Sequence, residues 1–407
     1  LEFPTLDEAD VKGKTVLVRI DINSPIDPRT GEILDDTRIR ECAPTIRELA
    51  NKGAKVVLLA HQGRPGDADF TTLERHAKKL SAALGLDVRY VPFVMGPTVV
   101  GTIHLMRPGE IVMLENIRFH AEEGLNRPPE EQAHTHLVRG LAGLAQIYVN
   151  DAFAAVHRSS PSLVGFSQQL PTFAGRVMER ELKGLSRALS PERQCVYVLG
   201  GAKVDDSLKI VDNVLSKGIA DLVLTGGLVG QTFLSAAGRD IGVANLRLLL
   251  DRGYQGQIEN AKELLARHGG RIKMPVDVVV DDRGQPKELT VERLPTELVI
   301  CDIGSRTIGD YSSTIEGAKT VVANGPLGVF ENAAFAKGTF EVLKAMARSQ
   351  AFTIIGGGHL VAAAQAAGVA AQMKHVSTGG GACISFLSGE TLPVVETLVR
   401  AKRGGKV

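Results

Sequence analysis

The chain has 407 residues, 44% of them hydrophobic, with 47 Lys and Arg set against 46 Asp and Glu for a formal net charge of +1. That length exceeds what one hydrophobic core usually fills, so two domains are expected. The charge balance excludes a field that would gather nucleic acid or anionic membrane, and no apolar run approaches the roughly 18 residues of a membrane-spanning helix, so neither is an expected partner.

In chain order, short β-branched runs at 15–20, 55–60, 111–114 and 147–150 each end in polar or Gly-rich residues and lead into a helical pattern, which is the alternation of βαβ units. Residues 171–191 carry a helical pattern with Pro at both edges and read as a helix joining two domains. The alternation resumes at 195–199, 222–225, 276–280, 298–301, 321–323 and 352–355, and predicts a second parallel sheet. The fold class is α/β: two Rossmann-like parallel-sheet domains joined by a helical hinge, with a cleft between them. Cys42, Cys195, Cys301 and Cys383 stand far apart without a CxxC pair, which suits neither a zinc site nor a disulfide framework. The first residues lack the basic and apolar regions of a signal peptide, and a cytoplasmic protein is expected.

Ligands of open α/β sheets gather beyond the carboxyl ends of the strands. In the first half those positions are cationic. Asp21, Asn23 and Arg38 follow the first run, His61-Gln-Gly-Arg64 the second, Arg118 the third and Arg158 the fourth. Any one of these arginines alone would be a surface residue in a weak ion pair. Together they form a basket of planar donors suited to the phosphate and carboxylate of a small metabolite.

The second half places glycine loops there instead: Leu199-Gly-Gly-Ala-Lys203, Thr225-Gly-Gly-Leu228, Asn324-Gly-Pro-Leu-Gly-Val-Phe-Glu331, Ile355-Gly-Gly-Gly-His359 and Ser377-Thr-Gly-Gly-Gly-Ala382. One such loop is a tight turn; five admit phosphate close to backbone N–H groups and point to a nucleotide. The dinucleotide fingerprint fails, because its nearest window places Thr225 where the first glycine belongs and windows from Gly356 and Gly379 end on Val361 and Ile384. A Walker-type loop fails at Glu8, and no nucleophile elbow or HExxH motif supports covalent or metalloprotease chemistry.

Val18-Arg-Ile-Asp-Ile-Asn-Ser-Pro25, His61-Gln-Gly-Arg-Pro65, Leu114-Glu-Asn-Ile-Arg-Phe119, Asn150-Asp-Ala-Phe153, Gly200-Gly-Ala-Lys-Val204, the 324–331 loop and His375-Val-Ser-Thr-Gly-Gly-Gly-Ala382 resemble the phosphoglycerate kinase family, in order and over essentially the whole chain. The resemblance implies reversible transfer of a phosphoryl group from 1,3-bisphosphoglycerate to ADP with Mg²⁺, giving 3-phosphoglycerate and ATP, in glycolysis and gluconeogenesis. It implies a 3-phosphoglycerate-binding domain at 1–170, a hinge at 171–190 whose helix covers 172–189, a nucleotide-binding domain at 191–390, and a segment 391–407 returning to the first domain. By similarity, Asp21, Ile22, Asn23, Arg38, His61, Gln62, Gly63, Arg64, Arg118 and Arg158 hold the phosphoglycerate. Gly201, Lys203, Gly226, Gly227, Asn324, Gly325, Pro326, Gly328, Glu331, Gly356, Gly357, Gly358 and His359 surround the nucleotide, with Glu331 on the ribose. Arg38, Lys203, Gly380 and Gly381 meet the migrating group.

Two positions depart from the common pattern: Ser207 stands where a second lysine is usual, and His359 where an aspartate ligates the metal. Both resemble the archaeal branch, and they leave the protein ligands of the metal unassigned. A monomer or small homo-oligomer is expected. A sensor that binds without turnover would keep the basket and the loops but could lose Lys203 or Arg38; an NAD-dependent dehydrogenase would need the missing fingerprint.

Overall fold

Strand β1 (Thr15–Arg19) buries all five of its residues, a pattern possible only where a sheet is covered on both faces. Its neighbours follow the same rule. Val16, Val18, Val56, Leu58 and Met113 pack in one core, while Leu17, Val57, Leu59, Val112 and Leu114 pack in another on the opposite face. With β2 (Lys55–Leu59), β3 (Val88–Val91), β4 (Ile111–Leu114), β5 (Ile147–Asn150) and β6 (Thr172–Ala174) the sheet runs in the order β3-β4-β2-β1-β5-β6, and every pairing is parallel. The order reverses between β1 and β5. That switch point is where a crevice opens beyond the strand ends.

The computed structural model describes residues 1–404 and divides into two units: Leu1–Lys183 together with the segment from Thr391 onward, and Gly184–Glu390. Of the expected 391–407 segment, 405–407 lie outside the described residues. The helix Pro393–Lys402 buries Val394, Val395 and Leu398, and Lys402 pairs with Glu8 at 2.5 Å. Among the described residues no helix is long and apolar enough to cross a membrane.

The second unit holds a parallel sheet of β7 (Cys195–Leu199), β8 (Leu222–Thr225), β9 (Ile272–Lys273), β13 (Thr320–Asn324), β14 (Phe352–Gly356) and β15 (His375–Val376), in the order β15-β14-β13-β7-β8-β9. Its reversal falls between β7 and β13. The runs at 276–280 and 298–301 do not join this sheet as expected. They form β10 (Asp277–Asp282) and β12 (Ile300–Ile303), which pair with β11 (Gln285–Thr290) in a separate antiparallel sheet. The reason is local. Arg283 and Gly284 both have positive φ, 57° and 84°, and such a two-residue turn returns the chain at once, whereas a parallel crossover needs a dozen residues or more.

The expected joining helix is shorter than its pattern. Thr172–Ala174 is strand β6 on the edge of the first sheet, and the helix runs over Arg176–Leu189. Gly175 separates them, its N–H donating to the Asn150 carbonyl at 2.9 Å. Asp151 begins the helix: its Oδ1 accepts from Val177 N at 2.9 Å and Met178 N at 3.0 Å. A β-branched residue and an aromatic beside a paired backbone favour strand here over helical periodicity.

Candidate active site

At the β1 end of the first unit, Arg19 is 1% exposed. It donates to Ser162 Oγ and to His61 Nδ1, each at 2.9 Å, and its counter-charge Glu123 lies 4.0 Å away. Glu123, also buried, accepts from Ser160 Oγ at 2.9 Å and Ser162 Oγ at 2.6 Å. A charge taken this far from water needs such a set of partners. His61 sits above it. Burial first, then the charges of Arg19, Arg118, Arg158 and Arg38, hold its ring well below the ordinary histidine range, so it is neutral at physiological pH.

The surrounding groups are arranged by the loops after β1, β2 and β4. Asp21 takes Arg38 Nη1 at 2.9 Å and the Asn23 amide at 3.0 Å. Asn23 Oδ1 accepts from Gly63 N at 2.8 Å, and the Gly63 carbonyl accepts from Arg118. Burial, followed by the neighbouring charges of Arg158 and Arg19, lowers Arg118 to about 10, still fully cationic at neutral pH. Burial also lowers Arg158, with Arg64 and Arg19 adding to the shift. These mutual repulsions describe cations gathered at one sheet edge, the condition under which a bound anion gains most.

In the second unit the loops after β7, β8 and β13 interlock through their backbones. Gly200 N donates to Asn324 O at 2.9 Å, Gly201 N to Pro326 O at 2.6 Å and Gly227 N to Leu327 O at 2.8 Å. Gly201 and Gly325 have φ of 82° and 79°, and a side chain on Gly325 would strike the Gly200 backbone, so only glycine serves there. Beside these loops lies a cavity of about 670 Å³. Leu228, Leu234, Val278, Val299 and Ile300 give it an apolar wall, and Lys203, Asn324 and Glu331 polar ones. Four helices begin on its border, at Val204, Gly227, Gly358 and Gly381, and none has a side-chain cap on its first turn. Their first N–H groups lack intrahelical acceptors, which is the arrangement that receives phosphate.

A family model described as "Phosphoglycerate kinase" matches residues 6–390. The chain belongs to the phosphoglycerate kinase family. It is 53% identical over 402 residues to the phosphoglycerate kinase of Methanothermobacter thermautotrophicus, covering 98% of both chains. It is similar to the crystal structure of phosphoglycerate kinase from Pyrococcus horikoshii OT3, with a TM-score of 0.89, 44% identity and coverage of 98% of this chain and 100% of that one. The structure of the Coxiella burnetii enzyme gives 0.84 at 31% identity, covering 98% and 99%.

Within this family frame, the residues singled out from sequence fall into two groups. The charges of Arg38, Arg118 and Arg158 all act on His61 in the first unit, Arg158 acts on Arg118, and Arg64 acts on Arg118 and Arg158. Gly201, Lys203, Gly227, Asn324, Gly325, Pro326, Gly328, Glu331, Gly357, Gly358, His359, Gly380 and Gly381 line the cavity of the second. Others serve the frame. Ile22 is fully buried, and Gln62 spends its amide on Ser24, Asp69 and His76, so neither side chain is available to a ligand. Gly226 and Gly356 do not line the cavity; a Cβ there would meet Leu327 at 2.6 Å and Cys383 at 2.7 Å. Glu331 and His359 touch each other, Oε1 to Nδ1 at 3.1 Å. Sequence reasoning missed Arg19, the last residue of β1, and also Arg252 and Tyr254 on the cavity wall.

Proposed function

We propose that the arginine rim of the first unit holds the phosphoglycerate and the glycine-walled cavity of the second holds the nucleotide. The chain is a phosphotransferase of the phosphoglycerate kinase family, and it moves a phosphoryl group reversibly from 1,3-bisphosphoglycerate to ADP, giving 3-phosphoglycerate and ATP. The observation that carries the division of labour is the cavity bordered by four uncapped helix starts, with Lys203 among its lining residues. No such feature is needed to hold a three-carbon acid, whereas a rim of arginines is suited to it.

In this reading the metabolite's phosphate and carboxylate take Arg64, Arg118 and Arg158, while His61 and Asn23 orient it. Arg38 and Lys203, with the backbone of Gly380 and Gly381, face the equatorial oxygens of the migrating group. Transfer of this kind asks for in-line positioning and charge neutralisation and uses no protein nucleophile. The leaving group is a carboxylate, so no strong general acid is required. Since Arg38 and Lys203 belong to different units, the proposal includes closure about the helix Arg176–Leu189, excluding water from the acyl phosphate.

Among the described residues no cluster of three or more His, Cys, Asp or Glu side chains could hold a metal ion. His359 pairs with Glu331 and offers a poor ligand for Mg²⁺. The residues do not form a protein cage for Mg²⁺. It belongs to the proposal as part of the nucleotide substrate, with oxygens from phosphates and water. The proposed setting is the cytoplasm, where ADP and ATP are at hand, as a monomer or small homo-oligomer.

The test is ATP formation from ADP and enzymatically generated 1,3-bisphosphoglycerate, with Lys203→Ala beside the wild type. Rapid turnover lost in the variant is expected. Binding of both ligands with no turnover would reduce the protein to a sensor.

A further inference from the structure

ADP is a polyanion, yet the cavity that would receive it is lined by the carboxylates of Asp206, Asp302 and Glu331 as well as by Lys203. Ser207, buried one helical turn beyond Lys203, contributes no charge. One further permanent cation lines the same cavity: Arg252. It makes no side-chain hydrogen bond or ion pair within the described residues, although Asp206 also lines the cavity. An arginine left without a partner in a cavity that also holds carboxylates is a donor fork in reserve.

Its placement is fixed by the backbone around it. The helix Val243–Leu250 ends in a hydrogen-bonded turn, with Gly253 N donating to Leu250 O at 2.9 Å and Tyr254 N to Leu249 O at 3.0 Å. Tyr254 Oη then donates to Ala202 O at 2.6 Å. Ala202 immediately precedes Lys203, so the hydroxyl ties the Arg252 turn to the loop that carries the lysine. The two cations are thereby brought to one cavity from opposite ends of a single tether.

We propose that Arg252 is a phosphate-binding residue of the nucleotide site, acting with Lys203 and positioned by the Tyr254 to Ala202 hydrogen bond. This rests on the reading of the cavity as the nucleotide site. Arg252 contacts the diphosphate and not the base, so its contribution depends on the charge of the ligand.

The test is calorimetric titration of the full chain with ADP and with adenosine, for wild type, Arg252→Ala, Arg252→Lys, Tyr254→Phe and Lys203→Ala. Arg252 is exposed and unpaired, so its variants are expected to fold as the wild type does. Loss of a charge-assisted contact predicts ADP binding about tenfold or more weaker in Arg252→Ala, adenosine within about twofold of wild type, and partial recovery in Arg252→Lys. Tyr254→Phe should shift ADP in the same direction by less. Equal weakening of ADP and adenosine would assign Arg252 to the base and overturn the proposal. Unchanged ADP affinity in Arg252→Ala with a loss in Lys203→Ala would overturn it alone; unchanged affinity in both would overturn the nucleotide reading beneath it.

Discussion

The guanidinium of Arg19 holds the ring of His61 in a single tautomer. Nη2 of Arg19 lies 2.9 Å from Nδ1 of His61, and because a guanidinium can only donate, Nδ1 is the acceptor and the proton resides on Nε2. His61 therefore presents a donor at Nε2 and not a base. Arg19→Met removes the partner that sets this tautomer and leaves Glu123 as a buried charge. Stability should fall by about 3–5 kcal/mol in urea denaturation, and the KM for 3-phosphoglycerate should rise about tenfold. Adding Glu123→Gln should recover much of the stability but none of the KM. Recovery of both would mean that Arg19 is only structural.

Asp151 joins β5 to the helix Arg176–Leu189, and its protonation carries a definite sign. One oxygen accepts two helix amides while Oδ2 is buried with no hydrogen-bond partner among the described residues, and burial pushes the carboxyl up to about 7 against the pull of Thr45, the amides and Arg180. The folded state then binds a proton that the unfolded state has released, so this contribution is full below the ordinary value of 3.8 and is lost as pH rises to about 7. His61 and His76, both lowered by burial, the latter to about 4, act with the opposite sign below 6.5. Comparison with Asp151→Asn isolates the carboxyl. The variant should gain on the wild type by on the order of 4 kcal/mol between pH 4 and pH 7. Parallel pH curves would show that Asp151 is ionised throughout.

Arg38 is paired with Asp21 in the first unit and has no place in the cavity of the second. If, as proposed, its charge acts on the migrating group, Arg38→Ala should lower kcat at least a hundredfold, while ADP affinity stays within about twofold. A parallel fall in ADP affinity, measured by calorimetry, would contradict the division between the units.

His359→Asp replaces the imidazole next to Glu331 with a carboxylate. Two acidic groups at this spot should draw Mg²⁺ toward the protein and lower the Mg²⁺ concentration for half-maximal rate several-fold. An identical magnesium titration would remove His359 from the ion's surroundings.

Legibility from sequence followed burial. Strands covered on both faces, such as β1, β2, β7 and β13, write themselves as unbroken apolar runs, and the rim and cavity residues proposed to meet ligands follow them at once. Strand β11 could not be read, because Gln285-Pro-Lys-Glu-Leu-Thr290 lies exposed for most of its length on a sheet edge, where Pro and charge are tolerated. With it went the antiparallel sheet. Arg19 escaped notice for a different reason: inside a strand a lone arginine carries no local sign of its partners, and Ser162 and Glu123 come from distant parts of the chain. Gln62 is the converse. It lies in the loop motif between His61 and Arg64, yet its own amide is spent on Ser24 and Asp69.

The helix Pro393–Lys402 packs in the first unit although all of Gly184–Glu390 precedes it in the chain. A ribosome making this protein therefore finishes the second unit before it supplies the piece that completes the first. Until then the surface that will cover Val394 and Leu398 stands open, beside the strand β6 edge and the loop of Val156, whose carbonyl receives Val394 N at 3.4 Å. The nascent amino-terminal half must wait in that state for some two hundred residues, roughly 10–40 s at ordinary elongation rates. Interruptions late in translation would leave a finished second unit attached to an unfinished first, and that product is the one a cell's chaperones would meet.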